Sequence, residues 1–118
     1  MAYSTHGKNY MLDQLGANKA LYASIHDGDP GDNGANEISG GSPAYARQAV
    51  TWQSASGGAM ANTGNITFDI PPGTSVMYVG FWDAASGGNF IGADDVTQED
   101  FAGQGTYKAT DVVLDLNA

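Results

Sequence analysis

Residues Ser75–Ala85, SVMYVGFWDAA, set the tightest limit on what this chain can become. In an extended strand Val76, Tyr78, Gly80 and Trp82 fall on one face, and Met77, Val79 and Phe81 on the other. A strand that is apolar on both faces belongs in the middle of a covered sheet. At an edge or on a solvated face, one of these rows would stand in water. Turn sequences bound it on both sides: Pro71–Pro72–Gly73 before, and Ser86–Gly87–Gly88–Asn89 after. Gly80 breaks the bulk on one face and admits a close neighbour.

The other apolar runs are short and separated by turn residues. Ala20–His26 alternates Leu21, Ala23 and Ile25 against Tyr22, Ser24 and His26, and reads as a first strand. Asn65–Ile70 turns Ile66, Phe68 and Ile70 to one side. Phe90–Ala93 returns as a short strand after the glycine turn, and Thr106–Ala109 and Val112–Leu116 close the chain. Met60 and its flanking alanines suit a short strand inside a turn region, while Asp94–Asp100, DDVTQED, reads as an acidic loop or a single helical turn. Seventeen of the 118 residues are glycine, against about 7% in an average chain. They lie between apolar runs without a Gly-X-Y period, which suits a turn-rich β fold. The expected fold is all-β: a single antiparallel β-sandwich domain over residues 1–118, jelly-roll-like, with a short N-terminal helix.

That helix is expected over Ser4–Ala17, capped by Ser4 or Thr5 and stopped by Gly16. Tyr10, Met11, Leu12 and Leu15 include the spacing of one apolar face. The element is short and needs a surface to lie on, either in its own domain or on a neighbouring subunit. Residues 1–17 are thus a candidate docking arm.

Thirteen acids against four bases give a formal net charge of −9. Such a chain repels phosphate backbones and anionic bilayers, so no nucleic-acid or membrane partner is expected. It contains no cysteine, which excludes disulfides and thiolate zinc sites. No run approaches the ~18 apolar residues of a membrane span. The N-terminus lacks the basic and apolar regions of a secretion signal, which points to synthesis in a cytoplasm.

Candidate chemistry is sparse. The loop carrying Asp27, Asp29 and Asp32 places acids at alternate positions, as a calcium loop does. Pro30 and Gly31 interrupt it, and Ile38 stands where a bidentate acid would be needed, so a solvated turn fits better. Asp94–Asp95 and Glu99–Asp100 sit too close in sequence to face each other across a cleft. His6 and His26, with no G-x-S-x-G elbow near any serine, make no nucleophilic set. The aromatics Tyr22, Tyr45, Trp52, Tyr78, Phe81, Trp82 and Phe90 could stack on sugars, but their strand spacing favours the core. No catalytic, cofactor-binding or metal-binding residue is expected.

Ser39–Trp52, SGGSPAYARQAVTW, contains the only arginine. It reads as a glycine–proline corner and then a strand, with Tyr45, Arg47, Ala49 and Thr51 facing one way and Ala46, Gln48, Val50 and Trp52 the other. In so acidic a chain Arg47 is expected to find a carboxylate and fix register with it, inside the domain or at a subunit interface.

Taken together, the order ALYASIHDGDPGDNG, GANEISGGSPAYARQAVTW, NITFDIP, VGFWDAASGGNFIGA and VVLDL resembles a family of small virion proteins of tailed bacteriophages, often labelled tail fibre or head fibre proteins. The most specific pieces are Glu37–Gly41 with Tyr45–Thr51, and Gly80–Asn89. Pro43 stands as an extra residue before Tyr45. The resemblance implies a non-enzymatic virion component made in the host bacterial cytoplasm. A fibre shaft needs length or a repeat, and the chain has neither. The expectation is therefore a decoration protein on the major capsid protein lattice, as a homo-oligomer, with a tail fibre, tail tip or host-carbohydrate-binding module as the alternative. Candidate interface residues are Tyr3, Tyr10, Met11, Leu15, Tyr45, Arg47 and Trp82.

Overall fold

The computed structural model describes residues 3–110 and 112–117. Met1 and Ala2 of the expected arm lie outside the described residues. Helix α1 (Thr5–Asn18) precedes strands β1 (Tyr22–His26), β2 (Gln48–Ala49), β3 (Ala59–Ala61), β4 (Ile66–Ile70), β5 (Thr74–Trp82), β6 (Phe90–Phe101), β7 (Gly105–Ala109) and β8 (Val113–Asp115). One sheet has the order β2-β1-β5-β6, and the pairs β3-β8 and β4-β7 form two ribbons. Every pairing is antiparallel. The architecture is the expected all-β sandwich with one N-terminal helix.

β5 is the interior strand, paired to β1 on one side and β6 on the other. Its alternation, however, changes midway. Val76, Val79 and Phe81 all enter the core, whereas strict alternation puts Val76 opposite the other two. The change coincides with a register irregularity against β6 between Val76 and Tyr78, where two steps along β5 face four along β6. From the facing ribbon come Ile66, Phe68 and Ile70 of β4, and Ala23 and Ile25 of β1 complete the layer beside Ala109 and Val112. At about 25 cal/mol per Å² of apolar surface removed from water, this layer is the main stabilising term.

Three expectations are corrected. Asp94–Asp100 is neither loop nor helical turn: it is the second half of the twelve-residue edge strand β6. An edge strand keeps its acids solvated, and residues 97–100 are exposed. The segment from Tyr45 to Trp52 is a strand only at Gln48–Ala49, with an isolated bridge from Trp52 to Asn62. Its facing also slips: Tyr45 and Arg47 turn inward, and then Val50 and Trp52 do, leaving Ala49 and Thr51 exposed.

Third, α1 runs through Gly16. Ser4 caps the helix, its side chain accepting from the Gly7 N–H at 3.0 Å. At Gly16 a Cβ would lie 2.9 Å from Trp52 Cδ1, so glycine lets the helix press on that ring. Polar side chains tie α1 to the loops around β3: Asp13 accepts from the Ala55 N–H and Asn9 from the Gly58 N–H, both at 2.8 Å. Leu12 is the helix's buried side chain. Among the described residues no helix is long and apolar enough to cross a membrane.

Candidate functional site

The free edge of β1 is closed in two pieces. Val50 N–H donates to Leu21 O near its start, and Ile38 N–H donates to Ile25 O near its end. Between them the Ile25 N–H donates to the Tyr45 hydroxyl at 3.0 Å. A tyrosine oxygen thus stands in for a missing strand partner, and the same hydroxyl donates to Glu37 Oε2 at 2.7 Å.

Glu37 is gripped from the other side by Arg47. Nε reaches Oε2 and Nη2 reaches Oε1, each at 2.9 Å, in the two-pronged geometry that only a guanidinium offers. Arg47 Nη1 donates to the carbonyls of Ala84 and Gly87, at 3.0 and 2.8 Å, in the turn between β5 and β6. Its guanidinium carbon sits 3.7 Å from the centre of the Trp82 ring. The Arg47 and Glu37 side chains are 8% and 22% exposed, so water screens the pair little. One arginine therefore fastens the Glu37 loop, the Tyr45 segment and the β5–β6 turn.

Burial pushes the Glu37 carboxyl up, but the hydrogen bonds from Arg47 and Tyr45 outweigh it and leave the group below its ordinary range. Burial pushes the Tyr45 phenol well up, with Glu37 adding to the effect. Both shifts favour one state: an ionised glutamate receiving a protonated tyrosine.

Behind Trp82 lies a second polar group. Ser24 and His26 are fully buried on β1. Trp82 Nε1–H donates to Ser24 Oγ at 2.9 Å, and Ser24 Oγ lies 2.7 Å from His26 Nε2. His26 Nδ1 lies 2.7 Å from the Ala35 carbonyl. A carbonyl only accepts, so Nδ1 carries the hydrogen and Nε2 accepts from the Ser24 hydroxyl. Gly80 makes room, since a Cβ there would lie 2.6 Å from Nε2. The sequence reading missed this group. The available signal was Ser24 and His26 on one strand face, opposite a glycine in the most apolar strand. A serine bonded to a histidine suggests a nucleophile, but neither side chain reaches solvent.

The sequence-derived candidates thus fall into two places. Tyr45, Arg47 and Trp82 meet in the clamp. Tyr3, Tyr10, Met11 and Leu15 lie along α1 and its approach, far from the clamp in role. Tyr3 and Tyr10 are 56% and 62% exposed, and with Leu116 at 44% they are the exposed large apolar side chains of the described residues. Tyr3, Met11, Leu12, Leu15 and Leu116, with Lys8, line an open groove of about 380 Å³. Tyr10 borders an adjoining depression that shares Met11 and Leu15. The strand aromatics pack inward or sit half-buried, so the exposed rings are on the helical segment. The acid loop forms turns: Asp29 Oδ1 accepts from the Gly31 N–H at 2.9 Å. Among the described residues no group of three His, Cys, Asp or Glu side chains could hold a metal ion.

No curated protein and no solved structure matches the chain. A family model described as podophage GP4 fiber I protein gp80 matches residues 2–111, which include the helix, the clamp and every strand but β8. The chain belongs to this podophage fibre protein family and is a structural protein of the phage virion, where it associates with other virion proteins.

Proposed function

We propose that the protein is a non-enzymatic building block of a virion fibre, held to another virion protein through the outer side of α1 and present as a symmetric oligomer. The match of residues 2–111 to a fibre protein family carries this reading. The dimensions qualify it. At 45 × 26 × 23 Å, and with no repeat, one copy makes no shaft. Several copies, or a longer partner, are needed to build an appendage. Tyr3, Tyr10, Met11 and Leu15 supply the attachment face, where aromatic rings beside an apolar groove are the kind of anchor that dominates interface energies. The clamp residues Tyr45, Arg47 and Trp82 act one step back, keeping the domain in one shape.

Capsid decoration, with the major capsid protein as partner, is the second reading. The compact and repeat-free chain favours it. Cryo-electron microscopy of intact particles separates the two. Density for this domain in a few symmetric copies on an appendage supports the fibre reading. Hundreds of copies over the head lattice replace it with decoration. Absence from purified particles overturns both.

A further inference from the structure

We propose that His26 is an acid-triggered latch, whose protonation breaks the hydrogen-bond chain through Ser24 behind Trp82 and loosens the Arg47 clamp. A closed chain of hydrogen bonds runs through the ring. Trp82 N–H donates to Ser24, Ser24 O–H to His26 Nε2, and His26 Nδ1–H to Ala35 O. Each donor has an acceptor only while the imidazole is neutral. A proton on Nε2 would point at Ser24 Oγ, which already accepts from Trp82. The serine hydroxyl would then lose the acceptor it has, inside a fully buried group.

The surroundings leave little slack. Gly80 packs against both Ser24 Oγ and His26 Nε2, so the backbone of β5 occupies the space a water would need. The Phe90 ring meets the imidazole edge-on at 6.1 Å between centroids. The charged neighbours oppose one another: Glu37 and Asp27 favour the imidazolium, and Arg47 disfavours it. Tyr78 is the cross-strand partner of His26, and Asp95 is the partner of Tyr78 one strand further out. Burial outweighs the two carboxylates and holds the histidine below its ordinary value of 6.5.

What the latch holds is set by position. Ala35 belongs to the loop that carries Glu37, and the loop's other ties to β1 are the Asp27–Asn36 and Ile38–Ile25 backbone bonds. Gly34 in the same loop packs under Trp82 and Phe90. An imidazolium still donates from Nδ1 to Ala35, so the loop keeps that tie; what is lost is the acceptor of the Ser24 hydroxyl, beside the indole that Arg47 covers. The native state excludes a proton that the unfolded chain binds. The stability contributed by neutral His26 is thus present above pH 6.5 and is lost as pH falls through the lower native value.

The experiment is an imidazole ¹⁵N titration of the His6→Gln protein, which has a single histidine, read alongside Trp82 fluorescence in a Trp52→Phe background. The expected result is an Nδ1–H neutral ring through pH 6.5, charging at lower pH together with a change at Trp82. Ser24→Ala should move that transition to higher pH, and His26→Gln, which removes the titrating ring, should abolish the accompanying change at Trp82. A ring that charges at or above pH 6.5 overturns the proposal, as does one that charges while Trp82 is unchanged. If His26→Gln does not fold, the wild-type ring and the Ser24→Ala shift still decide.

Discussion

The Arg47 clamp and the outer side of α1 are made from similar material, tyrosines and long side chains, under opposite rules. In the clamp each polar group has a partner: Tyr45 bridges a backbone N–H and Glu37, and Arg47 spreads over a carboxylate, two carbonyls and an indole. Along α1 the rings of Tyr3 and Tyr10 stand more than half in water beside an open apolar groove. The clamp is a finished interior, whose loss would be felt by the fold. The helix side is an open surface, whose loss, on the proposed attachment, would be felt by assembly. Burial of polar groups here serves to fix loops, while the exposed apolar groups along α1 are what the proposed attachment rests on.

The sharpest break in that comparison is Arg47→Ala. It leaves Glu37 ionised and poorly hydrated, and two turn carbonyls without their donor. We expect a loss of about 3–5 kcal/mol in unfolding free energy, read by urea denaturation. Arg47→Lys should recover only part, because an ammonium cannot make the two-pronged contact. Acid acts on the same group more gradually. Glu37 lies below its ordinary value of 4.5, so its contribution is present above pH 4.5 and is lost as pH falls through the lower native value. Thermal melts of wild type and Glu37→Gln should therefore converge as the pH is lowered below 4.5 and through the native value; parallel curves would show that the carboxylate is not the responsible group.

Gly80→Ala comes next. Its methyl group would lie within 2.7 Å of both Ser24 Oγ and His26 Nε2, so about 1–3 kcal/mol of destabilisation is expected. A stability equal to wild type would mean that this packing is looser than described. Ser4→Ala removes the helix cap and should cost about 1 kcal/mol. Smallest of all, Tyr3→Ser with Tyr10→Ser should change stability by less than about 0.5 kcal/mol for each substitution, since neither ring is packed into the core.

Legibility in the sequence followed the reach of each interaction. β5 was readable because its apolar rows and flanking turns are local, and β4 because Ile66, Phe68 and Ile70 alternate without interruption. The second half of β6 was not, because nothing in DDVTQED is apolar enough to signal a strand. Its extended form comes from the register with β5, from Val76 paired with Glu99 to Thr74 paired with Phe101. Arg47 could be expected to find a carboxylate in so acidic a chain. That the carboxylate is Glu37, and that Trp82 lies under the guanidinium, depends on contacts ten and thirty-five residues away. His26 looked like the polar side of an alternating strand, since the loop that buries it follows in sequence with only turn residues to announce it. The faces of Tyr45 and Trp52 were misjudged because a two-residue strand imposes no alternation over eight residues.

The most direct test of the assignment of α1 as the attachment face is the amount of the Tyr3→Ser, Tyr10→Ser double variant in purified particles, measured against wild type. The expected result is a protein with an unchanged unfolding midpoint that is lost from the particle. Incorporation at the wild-type copy number would contradict it.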